Sequence, residues 1–100
     1  MDTKFIIKTV SETYRYHINY IREARCMMID ESISQVAISK RIVSHIEFVI
    51  YSMEDKYSLI LQNDIIKGLY NKKYKDGCSK STYYRYRQTA YEMFIREINK

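Results

Sequence analysis

Apolar residues recur along this chain at steps of three and four, and the breaks in that rhythm divide it into helices. Asp2 or Thr3 can cap a first helix that runs to about Met28. Ile7, Val10, Tyr14, Ile18, Ile21 and Met28 form its stripe, interrupted at Arg25 where an apolar residue would be due. Phe5, Tyr16 and Tyr20 fall outside that stripe and suggest a second contact face. Asp30 reads as the cap of a second helix, over about 31–51. It begins amphipathic through Ile33, Val36 and Ala37. Its later part, RIVSHIEFVIY, is apolar on most sides, as expected in the middle of a bundle.

Ser52 with Asp55 three residues on has the form of a capping box. The third helix then places Met53, Tyr57, Ile60, Leu61 and Ile65 on one face and stops near Gly68, a natural left-handed ending. A short basic helix follows from Leu69 to about Lys75, with Asp76 and Gly77 as the turn. Ser79 is a candidate N-cap for the last helix, its hydroxyl placed to accept the amide of Ser81 or Thr82. Cys78 and Tyr83 are placed to form a hydrophobic staple at its entry. From there Tyr83, Tyr86, Ala90, Phe94 and Ile98 share one face. The fold class expected is all-α, a small helical bundle.

The opposite face of the last helix, near its start, holds Lys80, Ser81, Tyr84, Arg85 and Gln88. These side chains can donate to phosphates or read base edges, and only the first turns of such a helix reach into a major groove. Charge points the same way. The net charge is +5, and residues 51–100 carry ten Lys/Arg against six Asp/Glu. Within 67–87, Lys67, Lys72, Lys73, Lys75, Lys80, Arg85 and Arg87 face Asp76 alone. A local excess of this kind attracts polyanions through counterion release. A solvated face on a mildly basic protein is the plainer explanation; its concentration around a capped helix favours nucleic acid.

The segment from Ser52 to Ile98 resembles region four of bacterial sigma factors. It is also similar to the ArpU/RinA type of phage late-gene activators, and to small sigma-like proteins of AT-rich bacteria that share the S-K-S-T-Y-Y-R run. The matching pieces are SMEDKYSLILQNDIIKG, LYNKKYKDG and CSKSTYYRYRQTAYEMF. Between Gly68 and Gly77 the chain departs from the pattern, with lysine or tyrosine where the first helix of the motif has a small residue. The resemblance implies a C-terminal helix-turn-helix at about 69–98, inside a sigma-like domain over 30–100, with 1–29 as a separate amphipathic helix. It implies that Lys80, Ser81, Tyr84 and Arg85 read bases while Lys72, Lys73 and Lys75 hold phosphates. Gln88 joins the base readers, and Lys67, Ser79, Thr82 and Arg87 join the phosphate contacts. Tyr84 stands where sigma factors often have a basic residue, which argues against the same promoter sequence being read.

The function expected is DNA binding in transcription, with duplex DNA as partner and RNA polymerase as a candidate second one. A sigma-like module that binds polymerase or another regulator without reading DNA is the alternative. So is a helical oligomer, since residues 7–28 permit a homodimer; Arg25 in the stripe favours an intramolecular brace. No phosphate loop, metal-ligand cluster or nucleophile elbow is spelled out, so neither an enzyme nor a cofactor is expected. His45 beside Glu47 reads as a satisfied structural residue more than as half of a functional pair, and Cys26 and Cys78 as small buried hydrophobes. The most apolar stretch, Ile42 to Met53, is too short to span a bilayer, and the N-terminus lacks a signal-type apolar run. A cytoplasmic protein is expected.

Overall fold

The computed structural model describes residues 2–30, 33–69 and 80–100. Among them there are four α-helices and no strand: α1 (Thr3–Cys26), α2 (Ser34–Tyr51), α3 (Asp55–Leu61) and α4 (Lys80–Ile98). A π-helical segment, Gln62–Ile66, continues α3. Leu69 itself is not helical; the rest of the expected short helix at 69–75 and the turn at Asp76–Gly77 lie outside the described residues, as do the Ser79 cap and the Cys78 staple.

Asp2 caps α1 as its sequence suggests, its Oδ1 accepting the Lys4 amide at 3.0 Å. The other end comes earlier than expected. Met28 takes a positive φ of 57° and Met27 closes the helix. The Met28 amide donates to the Arg25 carbonyl at 3.0 Å and the Ile29 amide to the Ala24 carbonyl at 2.9 Å. That pair of bonds is a Schellman ending with methionine where glycine is usual. Met28 therefore leaves the stripe and is 90% exposed. Phe5 and Tyr16 are exposed as well, and so is Cys26, against the expectation that it is buried.

Two expected caps give way to other arrangements. α2 starts at Ser34, and Asp30 instead accepts the Ile33 amide through its own carbonyl at 3.1 Å. Ser52 closes α2, its hydroxyl donating to the Val49 carbonyl at 2.9 Å, while Glu54 precedes α3 without a side-chain cap bond. A serine hydroxyl serves a helix end equally well as donor to a carbonyl.

The third helix changes pitch at its end. Lys67 donates its amide to the Gln62 carbonyl at 3.0 Å, five residues back, and Leu69 reaches the Asn63 carbonyl at 3.0 Å. Gly68 makes this possible with φ 69°. A Cβ there would also fall 1.9 Å from the Arg15 Nη1. The Ile65 carbonyl, left over by the widened turn, accepts the buried Ser11 hydroxyl of α1 at 2.8 Å.

The core joins all four helices. Ile7, Tyr14 and Ile21 of α1 meet Val43, Ile46 and Ile50 of α2, so α1's stripe is buried within the one chain. Leu61, Ile65, Ala90, Tyr91 and Phe94 complete it. The α4 register is as expected, with Tyr83, Ala90 and Phe94 buried and Tyr86 and Ile98 half-buried. α2 is less enclosed than its sequence suggests, since Phe48 is 72% and Tyr51 59% exposed. Both histidines are tied down: His17 Nδ1 lies 2.8 Å from the Ser39 hydroxyl, and His45 Nε2–H donates to the Ile98 carbonyl at 3.1 Å.

Two substitutions test this packing. Phe94→Ala should lower the unfolding free energy by about 3–5 kcal/mol, the range for emptying a fully buried aromatic site. Met28→Gly should raise it by about 0.5–1 kcal/mol, because relief of the left-handed strain exceeds the added freedom of the unfolded chain. Urea denaturation reads both. A destabilised Met28→Gly would show that the α1 ending is held by something other than its backbone bonds.

Candidate nucleic-acid interface

α4 carries no acidic residue from Lys80 to Tyr91. Its buried arc of Tyr83, Ala90 and Phe94 fixes which side chains are left outside. Ser81, Tyr84, Arg85 and Gln88 are those, all exposed, at the steps of three and four that make one helical face. Lys80 opens the helix at the same end. Tyr84 is 39% exposed, its ring set edge-on to Tyr83 at 5.6 Å between centroids. Gln88 is held from both sides: its Oε1 accepts the Thr3 hydroxyl at 3.4 Å, and its Nε2 donates to Glu92 at 3.0 Å. The start of α1 thus props the middle of α4.

Among the expected phosphate contacts, Lys67 is exposed just ahead of Gly68 and Thr82 is half-buried. Lys72, Lys73, Lys75 and Ser79 lie outside the described residues. Arg87 is placed differently. Its side chain is only 12% exposed, and its Nε–H points at Asp64 Oδ2 at 3.2 Å and at the Tyr91 hydroxyl at 2.6 Å. The guanidinium lies 5.2 Å from the Tyr91 ring centre, a cation–π contact. Tyr91 in turn donates its hydroxyl proton to Asp64. Asn63 holds the other oxygen of Asp64 at 3.3 Å. Arg87 is therefore a structural cation, turned away from the outer face.

Asp64 is 1% exposed and Tyr91 also 1%. Burial raises the Tyr91 pKa, and the bond to Asp64 raises it further, so the phenol stays protonated and donates. Burial alone would lower the Arg87 pKa, but the Tyr91 bond and the Asp64 charge outweigh it and the guanidinium stays charged. The three groups form a donor–acceptor set that pins α4 to the π-helical segment. Neither Asp64 nor Tyr91 stood out in the sequence. The signal was there in part: Asp64 falls on the apolar side of its helix next to Ile65, and Arg87 and Tyr91 are four apart on the inner side of α4.

A further cation flanks the seam between α3 and α4. Lys56 Nζ sits 5.0 Å from the Tyr57 ring centre and 4.8 Å from that of Tyr86. The two rings meet edge to face at 6.2 Å. Among the described residues no group of three His, Cys, Asp or Glu side chains could hold a metal ion, and no helix is long and apolar enough to cross a membrane. No protein-family profile, no curated protein and no solved structure matches the chain.

Asp64→Ala should cost about 3 kcal/mol, the low end for breaking a buried pair because the Arg87 stem has a route back to water. Tyr91→Phe, which removes one donor and keeps the ring, should cost about 1–2 kcal/mol. Thermal and urea unfolding read both changes. An Asp64→Ala protein as stable as the original would mean that apolar packing alone holds α4 in place.

Proposed function

We propose that the chain binds duplex DNA through the outer face of the first half of α4, as a transcription regulator of the sigma-like accessory kind. The observation that carries this reading is the face itself. Ser81, Tyr84, Arg85 and Gln88 project together from a helix whose other side is anchored in the core, along a stretch with no carboxylate. Arg85 is suited to a paired contact with a guanine edge, the Tyr84 ring to a thymine methyl, and Gln88, once it exchanges Thr3 and Glu92 for a base, to adenine. Lys67 and the lysines at 72, 73 and 75 add sequence-independent attraction to phosphates. RNA polymerase is a candidate second partner, by resemblance to sigma region four. An interaction module that does not read DNA is the second reading; the exposed aromatic pair Phe48 and Tyr51 on α2 is what favours it.

Selection of a preferred site from a random duplex library, followed by fluorescence anisotropy across a salt series, separates the contributions. Lys72→Ala or Lys73→Ala should weaken binding to all duplexes alike and flatten the log-affinity versus log-salt slope by about one unit each. Arg85→Ala should narrow the gap between the best site and random DNA by about 1–3 kcal/mol. No enriched site together with a salt slope near zero would overturn groove reading in favour of the interaction module.

A further inference from the structure

A trough runs along the seam between α1 and α2. Its upper part, of about 490 Å³, has an apolar floor of Ile18, Ile21 and Val43. Arg22, Arg25 and Lys40 stand around it, with Arg22 and Arg25 exposed. Ser44 and Glu47 close this part, and the same two residues open a second, more apolar depression of about 360 Å³ beside Phe48 and Tyr51. The two depressions adjoin at Ser44 and Glu47, the second lined by residues of α2 and its C-cap Ser52. From Lys40 to Tyr51 the trough follows α2 for about 16 Å, the length of three turns of a docked helix.

We propose that this trough docks an acidic amphipathic helix of a partner protein. Charge complementarity sets the occupant: three cations rim one end, so glutamates or aspartates flanking the apolar stripe of the incoming helix meet them. The floor takes that stripe, and its aromatic end covers Phe48 and Tyr51, which are otherwise 72% and 59% in contact with solvent. A nucleic-acid backbone fits less well. Glu47 lies in the middle of the trough, its carboxylate fixed by the Tyr14 hydroxyl at 2.6 Å, and would face a row of phosphates. Arg25 and Lys40 already make contacts within the chain, so an acidic helix takes over partners instead of meeting bare charges. The inference does not depend on what α4 reads, because the trough shares no residue with the outer face of α4.

The probe is a fluorescein-labelled peptide of about sixteen residues, three to four turns long, with leucines at steps of three and four and glutamates beside them. Its twin carries glutamine at every glutamate. Anisotropy should show the acidic peptide binding about ten-fold or more tightly than its twin, and the difference should shrink as salt is raised. Arg22→Glu should weaken the acidic peptide about ten-fold without changing the melting curve, and Arg22→Glu with Arg25→Glu should weaken it further. Phe48→Ala should weaken both peptides. Lys4→Glu, about 27 Å away along α1, should leave both unchanged. Equal binding of the two peptides, or indifference to Arg22→Glu, would overturn the proposal. So would displacement of the peptide by phosphatidylglycerol vesicles or by random duplex with loss of that displacement in Arg22→Glu, since the trough would then serve a lipid or nucleic-acid surface.

Discussion

The buried contact of Asp64 with Arg87 and Tyr91 is the constraint on which the arrangement of this molecule turns. A carboxylate with almost no access to water survives only if charge and hydrogen bonds compensate it. Among the described residues the compensation comes from α4 and from the neighbouring Asn63. The direction of dependence matters. If α4 rotated by one residue, Arg87 and Tyr91 would both leave Asp64, and Ala90 and Phe94 would leave the core. The polar network and the apolar packing thus select the same rotation, and that rotation sends Ser81, Tyr84, Arg85 and Gln88 outward.

The rest of the structure serves that placement. The π-helical segment brings Asp64 to α4 at the cost of irregular backbone bonds, and the neighbours absorb the irregularity. Ser11 supplies the donor for the Ile65 carbonyl, and Gly68 supplies the conformation that closes the segment. Thr3 meets Gln88 near one end of α1, while His45 of α2 meets the Ile98 carbonyl at the end of α4. α4 is therefore held at its middle and its end, and its first turns carry the outward face.

What the sequence made legible follows from how local each cause is. The α4 register could be read because Tyr83, Ala90 and Phe94 sit on a clean helical stripe, and the Asp2 cap because its partner is two residues away. The pitch change at Gln62 could not, since the hydroxyl that satisfies its Ile65 carbonyl comes from Ser11 far upstream. Arg87 looked like one more cation in a basic run. Its inward turn is decided by a carboxylate 23 residues earlier, beyond the reach of any periodicity. Ser52 read as the cap of α3, but its hydroxyl closes the end of α2 instead. Met28 misled for a different reason: a methionine at a left-handed position looks like one more stripe residue until the backbone turns away.

The central claim is that the face of α4 held outward by this network meets DNA. Backbone amide shifts of the isotope-labelled protein, followed by NMR during titration with duplex, test it most directly. The account predicts that the signals of Ser81, Tyr84, Arg85 and Gln88 move together and saturate, while those of Ala90 and Phe94 stay in place. Shifts confined to the α1–α2 seam around Ile18 to Arg25, or none at any duplex concentration, would contradict it.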